Sequence, residues 1–513
     1  MIKKTRAWKK LLAAGMTAAL TVGLLAGCGG GDKAPEKTGG QSASAEGTTN
    51  GELDTSEEVE LVMYVVGDRP AGQDVVDENL NKILKEKLNC TLKINWIGWA
   101  EYSNKYPLLF SSGEEFDIAY SATWLNFASL AQKGAFMNLD ELWPTYAPDN
   151  FAAATETAKE QATVGGHYYC VPTQLATYNA YGPIYRKDLA EGSDWDGVME
   201  NFEDLEEYCD IVREQHPDVR PLDQGAAEPA WYFVYMRSLG YNALTEGTRY
   251  LWYDPTEENP KLFTNEQCEK TPEFLQMMAR WNEKEFFSKS ALSDTNSQGF
   301  QGGKAAVQMH NIDVYSTQSI LNPDWGVSYA NFTKNVAHLP YTQDCMVISN
   351  TSKNPERAMA FWNLVTTEQE LYDAFMYGVL DTTYRLVDGQ FEITDPDLYG
   401  DGAMSAARTN GLARDRVGTP ENYNVLKGEF EKAIAANDAA EKYAGFVFDT
   451  SSLETELAAC SNVWQQYWWP LELAYTDGEA GLAEYAEKMK AAGIDKILEE
   501  AQRQLDEYTA SHK

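Results

Sequence analysis

Residues 59–99 hold two apolar, β-branched runs around one amphipathic segment: VELVMYVVGD (59–68), DVVDENLNKILKEKLN (74–89) and CTLKINWIGW (90–99). The middle segment places Val76, Leu80, Ile83, Leu84 and Leu88 near helical spacing, so the pattern predicts strand, helix, strand. A crossover helix between two strands implies a parallel βαβ unit. This restricts the chain to the α/β class.

The alternation continues. A helix is expected near 102–112 and a strand at FDIAYS (116–121), with later strands at RPLDQ (220–224), AAVQMH (305–310) and CMVISN (345–350). Helices are expected at 200–215, 228–239, 271–286 and 355–376, followed by a helical C-terminal portion. Open parallel sheets bind ligands beyond the carboxyl ends of their strands. The residues in those places are Asp68 and Arg69, Trp99, Ser121 to Trp124, Gln224, and His310 to Asp313.

The N-terminus has a different logic. Lys3, Lys4, Arg6, Lys9 and Lys10 precede an uncharged apolar run from Leu11 to Ala26, the layout of an export signal. The run is too short to span a bilayer comfortably. The sequence LLAGC (24–28) resembles the bacterial lipobox, in which the cysteine is acylated and becomes the new N-terminus. Residues 1–27 are therefore read as a lipoprotein signal peptide and Cys28 as a lipid anchor, since acyl chains bind membranes through buried methylenes. Residues 28–58, rich in Gly, Ser, Thr and Glu and free of aromatics, read as a disordered tether. No second apolar run approaches the length of a membrane span.

The formal net charge is −36, which argues against nucleic acid or anionic headgroups as partners. The six cysteines after the anchor (Cys90, Cys170, Cys209, Cys268, Cys345 and Cys460) are scattered, contain no CxxC, and read as single buried thiols. Five histidines without HExxH or paired spacing give no metal site. DTNSQG (294–299) imitates a calcium loop, but Ala305 stands where a glutamate is needed, so it reads as a turn.

Several stretches in order carry a resemblance. ELVMYVVGDRPAGQDVVDENLNKILKEKLN, SGEEFDIAYSATW, GGHYYCVPTQ, IYRKDL, FQGGKAAVQMHN and SNTSKNPERAMAFWNLVTTEQ follow the lipobox. The chain thereby resembles the extracellular solute-binding lipoproteins of family 1, the capture component of bacterial carbohydrate ABC importers. The tail from FVFDTSSLETEL (446–457) onward resembles a C-terminal extension of one subgroup, found largely in Gram-positive bacteria. The resemblance implies a periplasmic-binding-protein-like, two-lobe α/β fold of type II, with three hinge crossovers and a helical C-terminal extension. It puts the crossovers near Pro172 to Ala176, Gly303 to Val307 and Ser349 to Asn354. Lobe 1 would then comprise 59–175 plus 305–349, and lobe 2 would comprise 176–304 plus 350–513, the extension being about 443–513. Ligand binding would favour the closed form, and the lobes would move as rigid bodies about the hinges.

The implied function is capture of a solute, an oligosaccharide by the wealth of Trp and Tyr, and delivery to an ABC permease. The protein would be a lipid-anchored monomer on the outer face of the cell membrane, with no cofactor and no nucleic-acid partner. Sugars need aromatic faces for their C–H surfaces and charged or amide groups for their hydroxyls. Asp68 and Arg69 occupy a Gly-Asp-basic turn similar to one in maltose-type binders, or form a surface ion pair. Trp99 and Trp124 end strand regions, and Tyr178 and Asn179 follow the first crossover. Trp231 opens the helix after PLDQGAAEP, and a tryptophan anywhere can equally be core. His310, Asn311 and Asp313 leave the GGKAAVQM strand, where His310 is either a ligand contact or a satisfied imidazole. In YGVLDTTYRLVDG (377–389), Asp381 and Tyr384 stand in a loop where the subgroup usually carries Glu-Gly in place of Asp381 and Thr382. Trp464 and Trp468 are expected to pack the extension against lobe 2.

Three alternatives stand beside this reading. A peptide would also use aromatic walls, and a sensor presenting ligand to a membrane kinase would need the same trap. A glycosidase needs two carboxylates across a sugar, and 78 acidic residues make chance pairs uninformative. GxSxG, HExxH, a P-loop and a post-strand GxGxxG are all absent, and the strands read as two open sheets rather than a barrel, so the chain is read as a non-enzyme.

Overall fold

The computed structural model describes residues 53–512 apart from 100, 176, 224–230, 246–247, 294–298, 396–397, 400–401 and 437–440. The signal segment, Cys28, most of the tether, Gln224 and most of DTNSQG lie outside the described residues. The opening βαβ unit is present: Val59–Val66 and Cys90–Ile97 pair in parallel, Val59 opposite Cys90 and Val66 opposite Ile97. Gln73–Leu88 is the helix between them, and its buried Val76, Leu80, Leu84 and Leu88 recur every fourth residue, the stripe a helix lays on a sheet. It ends at Asn89 in the left-handed region. There Arg357 Nη1 donates to the carbonyls of Leu88 (2.5 Å) and Asn89 (3.0 Å), acceptors that a helix end leaves unpaired.

The first sheet has the order Cys90–Ile97, Val59–Val66, Ile118–Ser121, Cys345–Ile348, Val171–Pro172. Its first three strands are parallel, and Cys345–Ile348 runs antiparallel to both neighbours. The core on this sheet draws side chains from 61–171 and from 345–407. The second sheet has the order Val327–Tyr329, Tyr181–Arg186, Ala305–Asn311, Arg220–Asp223. One of its faces carries a core that continues into the C-terminal extension, and the other is covered by Ile312–Leu321 and Glu421–Ala436.

This pairing corrects the expected lobe boundaries. Ala305–Asn311 belongs to the second sheet, so 305–329 is part of lobe 2, and 350–407 packs into the core of lobe 1. The crossovers accordingly lie at about 173–180, 330–344 and 408–420; the first matches the expectation, and the other two are displaced from 303–307 and 349–354. An apolar strand such as AAVQMHN fits the middle of either sheet, and periodicity does not say which. The segment expected as one helix at 355–376 is two, Pro355–Val365 and Gln369–Met376. At the break Thr366 Oγ1 donates to the Trp362 carbonyl (2.8 Å) and Thr367 Oγ1 to that of Asn363 (2.7 Å), hydroxyls competing with the helical ladder. The strand Tyr181–Arg186, absent from the sequence expectation, pairs antiparallel with Ala305–Asn311 although it contains Gly182 and Pro183. Gly182 is required there: a Cβ would lie 1.9 Å from the Ala330 carbonyl oxygen.

The crossovers are bonded to one another. Tyr178 and His338 form an antiparallel bridge, Asn179 N donates to the Ala337 carbonyl (3.0 Å), and Leu339 N to that of Thr177 (2.8 Å). Gln174 N reaches the Arg408 carbonyl of the third crossover (3.0 Å). The six cysteines after Cys28 are buried and free.

The extension packs on lobe 2 through Trp468, which is fully buried with its ring 4.7 Å from that of Tyr232. Residues 464–468 form a π-helical turn, which inserts an extra residue into the repeat. Trp464 therefore meets Trp469 (5.6 Å). Glu472, 2 % exposed, accepts the Tyr232 backbone N–H (3.1 Å) and the Trp468 Nε1–H (2.9 Å). Burial pushes its pKa up to about 7.

Candidate functional site

The carboxyl ends of the parallel strands in lobe 1 carry an aromatic shelf. Trp99, 52 % exposed, follows Cys90–Ile97 directly, and Trp124 sits in the single turn Thr123–Leu125 after Ile118–Ser121. Their ring centroids are 6.0 Å apart with planes 30° from parallel. Tyr102 meets Trp99 (5.8 Å) and Trp124 (5.6 Å) edge-on, the arrangement that aromatic quadrupoles favour. Tyr120 lies 6.0 Å from Trp124, and its hydroxyl donates to Asp344 Oδ1 (2.5 Å), which also accepts from Ser405 Oγ (2.9 Å). Burial, reinforced by Asp344, drives the Tyr120 phenol far above its ordinary pKa. The shelf is thus held from below and open above.

Asp68 and Arg69 stand beside it. Asp68 Oδ1 accepts the Trp99 backbone N–H (3.3 Å), which places the carboxylate at the shelf's edge. Arg69 Nη2 pairs with Asp74 (2.6 Å) at the start of the following helix, the surface ion pair named as the other reading of this residue. Such exposed pairs contribute little.

On the lobe 2 side, Tyr178 donates its hydroxyl to Glu431 Oε1 (2.5 Å), and its ring leans on His338 (5.5 Å) and Phe430 (5.4 Å). His338 contacts Glu441 Oε2 through Nδ1 and Glu431 Oε1 through Nε2, each at 3.2 Å. These carboxylates, Glu441 foremost, raise its pKa. Asn179 is spent on the hinge: Oδ1 accepts the Ala337 N–H (2.8 Å) and Nδ2 donates to the Asn335 carbonyl (3.4 Å). Asn311 Oδ1 accepts the Val314 N–H (3.1 Å), capping the next helix. Asp313 Oδ1 accepts the Tyr423 hydroxyl (2.6 Å). The His310 ring lies 6.2 Å from Tyr181, near-parallel, and its Nδ1 accepts the Asn311 N–H (2.9 Å).

Three candidates fall elsewhere. Trp231 is fully buried, edge-on to Trp281 at 5.7 Å, and is core rather than a ligand platform. Tyr384 is 4 % exposed and packs on Tyr377 (5.6 Å); burial pushes its pKa up to about 12. Asp381, exposed at φ 60°, donates its N–H to the Tyr384 carbonyl (2.7 Å) and serves a turn. The local sequence gave no sign of His338, Glu431 and Glu441, which meet from separate segments. Tyr102 had a signal, since it lies three residues beyond Trp99 at a helix start.

A cavity of about 230 Å³ opens between the lobes. Thr123 and Asn126 line it from lobe 1, and Arg237 and Tyr253 from lobe 2. Asn179 and His338 come from the crossovers, and Tyr443 and Phe446 from the start of the extension. Among the described residues no three His, Cys, Asp or Glu side chains are grouped to hold a metal, and no helix is long and apolar enough to cross a membrane.

The sequence model described as bacterial extracellular solute-binding protein matches residues 70–371, and that of a domain of unknown function matches 442–510. A carbohydrate ABC transporter substrate-binding protein of Streptococcus pneumoniae serotype 4 is 26% identical over 522 residues, 99% of each chain. The N-glycan transport solute binding protein NgtS from Streptococcus pneumoniae, solved with Man1GlcNAc, aligns with a TM-score of 0.72 and 24% identity, over 88% of this chain and 100% of that one. Its Man5GlcNAc complex aligns with a TM-score of 0.68 and 25% identity, over 88% and 99%.

Proposed function

The chain belongs to the bacterial extracellular solute-binding protein family, and from that premise we propose that it captures an oligosaccharide between its lobes and hands it unchanged to an ABC importer. The single observation that carries this reading is the shelf of Trp99, Tyr102 and Trp124 at the strand ends of lobe 1. Aromatic faces accept the C–H surfaces of pyranose rings, and Asp68 at the shelf's edge supplies an acceptor for hydroxyls. Similarity to the pneumococcal carbohydrate transporter protein and to NgtS supports the substrate class. The other strand-end groups, His310 and Asp313 among them, form the opposing polar wall in this reading. Acylation at Cys28 ties the protein to the outer face of the cell membrane, with residues 29–58 as the leash.

Calorimetry of the full chain against Man5GlcNAc, Man1GlcNAc, maltotetraose, an alginate oligomer and a mixed peptide pool tests the proposal. Saturable binding of at least one glycan, recovered intact by chromatography, is the expected result. Binding of peptide alone, or a shortened glycan in the recovered fraction, would overturn it. Acyl attachment is read separately, as a mass increase on Cys28 in membranes of the producing cell.

A further inference from the structure

Taking the shelf as the binding platform, whatever solute it holds, we propose that Gln343 and Asp344 are positioning residues that couple the shelf to the hinge, so that the stance of Trp124 and the bend of the second crossover change together. The two are consecutive where the crossover 330–344 runs into the strand Cys345–Ile348. Cys345 stands opposite Ser121 in an antiparallel pair, so the residues before it run past those that follow Ser121. Gln343 Oε1 accepts the Thr123 hydroxyl (2.7 Å), and Thr123 immediately precedes Trp124 in its turn. Asp344 Oδ1 accepts the hydroxyl of Tyr120, whose ring centroid is 6.0 Å from that of Trp124. One hinge segment thus holds Trp124 twice, through its chain neighbour and through the ring against which it rests.

The same segment gathers the rest of the hinge. Ser405, close to the third crossover, donates Oγ to the same Asp344 oxygen (2.9 Å). Thr173 of the first crossover donates its N–H to the Asp344 carbonyl (3.1 Å) and its hydroxyl to the Arg408 carbonyl (3.1 Å). Tyr341 donates its N–H to Gln161 Oε1 (2.7 Å), and Gln161 Nε2 donates to the Ala444 carbonyl of the extension (2.8 Å). Hinged lobes absorb their rotation in a few backbone dihedrals, and a turn at 343–344 carries the acceptors of Thr123 and Tyr120 with it. Tyr120 and Ser405 are each 5 % exposed, and a buried hydroxyl left without its acceptor is costly, so the donors follow. By reciprocity, a solute that presses Trp124 into one stance biases the hinge by the same free energy. The bonds that position the platform are therefore the route by which occupancy reaches the crossovers.

Two measurements on the full chain, both without solute, test this. Fluorine NMR with fluorotryptophan follows the Trp124 signal, assigned through Trp124→Phe. Nitroxides on Glu86→Cys and Glu214→Cys, exposed on helices of lobe 1 and lobe 2, report the distance between the lobes; Cys28→Ser is added, and the other six thiols are buried. Tyr120→Phe, which deletes one hydroxyl, and Gln343→Ala, at a half-buried position, are each expected to shift the Trp124 signal and to redistribute the interlobe distance. Tyr232→Phe, which deletes a buried hydroxyl in the core of lobe 2, should change neither. A Trp124 signal that moves while the distance holds would make the pair a local prop of the shelf and overturn the coupling. A distance that moves while the signal holds, no change in either, or an equal response to Tyr232→Phe overturns it as well. Neither readout needs a glycan, so this result and that of the glycan panel stand or fall separately.

Discussion

The indole of Trp99 lies 6.0 Å from that of Trp124 at an angle of 30°, although the two residues leave different strands of the first sheet. Their strands flank Val59–Val66 on either side, so side chains leaving the carboxyl ends of parallel strands meet at one edge, and the sheet turns a pair remote in sequence into a continuous apolar surface. Tyr102 wedges edge-on against both rings and fixes their tilt.

Trp124→Ala is expected to weaken a bound sugar by more than about 1 kcal/mol, roughly fivefold. The melting temperature should stay nearly constant, because Trp124 is only partly buried. Calorimetry with thermal melting checks both, and an unaltered affinity would assign the ring to packing alone.

Trp231→Ala should behave in the opposite way. Its side chain is fully buried against Trp281, so truncation is expected to cost about 3–5 kcal/mol of stability. The urea midpoint reads this. A midpoint close to wild type would contradict the core assignment.

His338 makes the hinge sensitive to pH. Glu441, then Glu431, raise its folded-state pKa above the unfolded value, while the Tyr178 ring lies tilted against it and Lys427 faces Tyr178 from the turn preceding Glu431 on the same helix. The stabilisation is complete below the unfolded pKa, near 6.5, and is lost as pH rises through the folded pKa. His338→Gln should therefore lower the melting temperature at pH 6 more than at pH 9. Equal losses at both pH values would show that the ring acts by shape and not by charge.

Glu472 has the reverse profile for a carboxylate. Its pKa is up at about 7 in the folded chain, so between about 4.5 and 7 the folded state keeps a proton that the unfolded state has released. Stability should fall as pH rises across that window, by an amount on the order of 3 kcal/mol. Glu472→Gln is expected to flatten that slope, whatever it does to absolute stability. Denaturant midpoints at pH 4.5, 6 and 7.5 give the comparison.

The first sheet was legible because its pattern is local: Val59–Val66, Gln73–Leu88 and Cys90–Ile97 follow one another with the right periods. Which sheet receives Ala305–Asn311 depends on pairing with Tyr181–Arg186 and Arg220–Asp223, partners more than eighty residues away whose own sequences include glycine and proline. The same limit applies to the site. The positions of Trp99 and Trp124 beyond strand ends were legible because a strand end predicts where a side chain emerges. Trp231 obeyed the same rule, yet it opens a helix that packs inward against Trp281. His338, Glu431 and Glu441 form a cluster only after the crossovers and the helix Glu421–Ala436 are in place, and no spacing in the chain announces such a meeting.

Gln161 holds one hand on the tail and the other on a crossover. Cutting the protein short before Ala444 would therefore not merely trim an ornament from the far lobe. It would leave a hinge strand lacking the brace against which it bends, so a shortened chain would swing differently even with every sugar-facing group still in position.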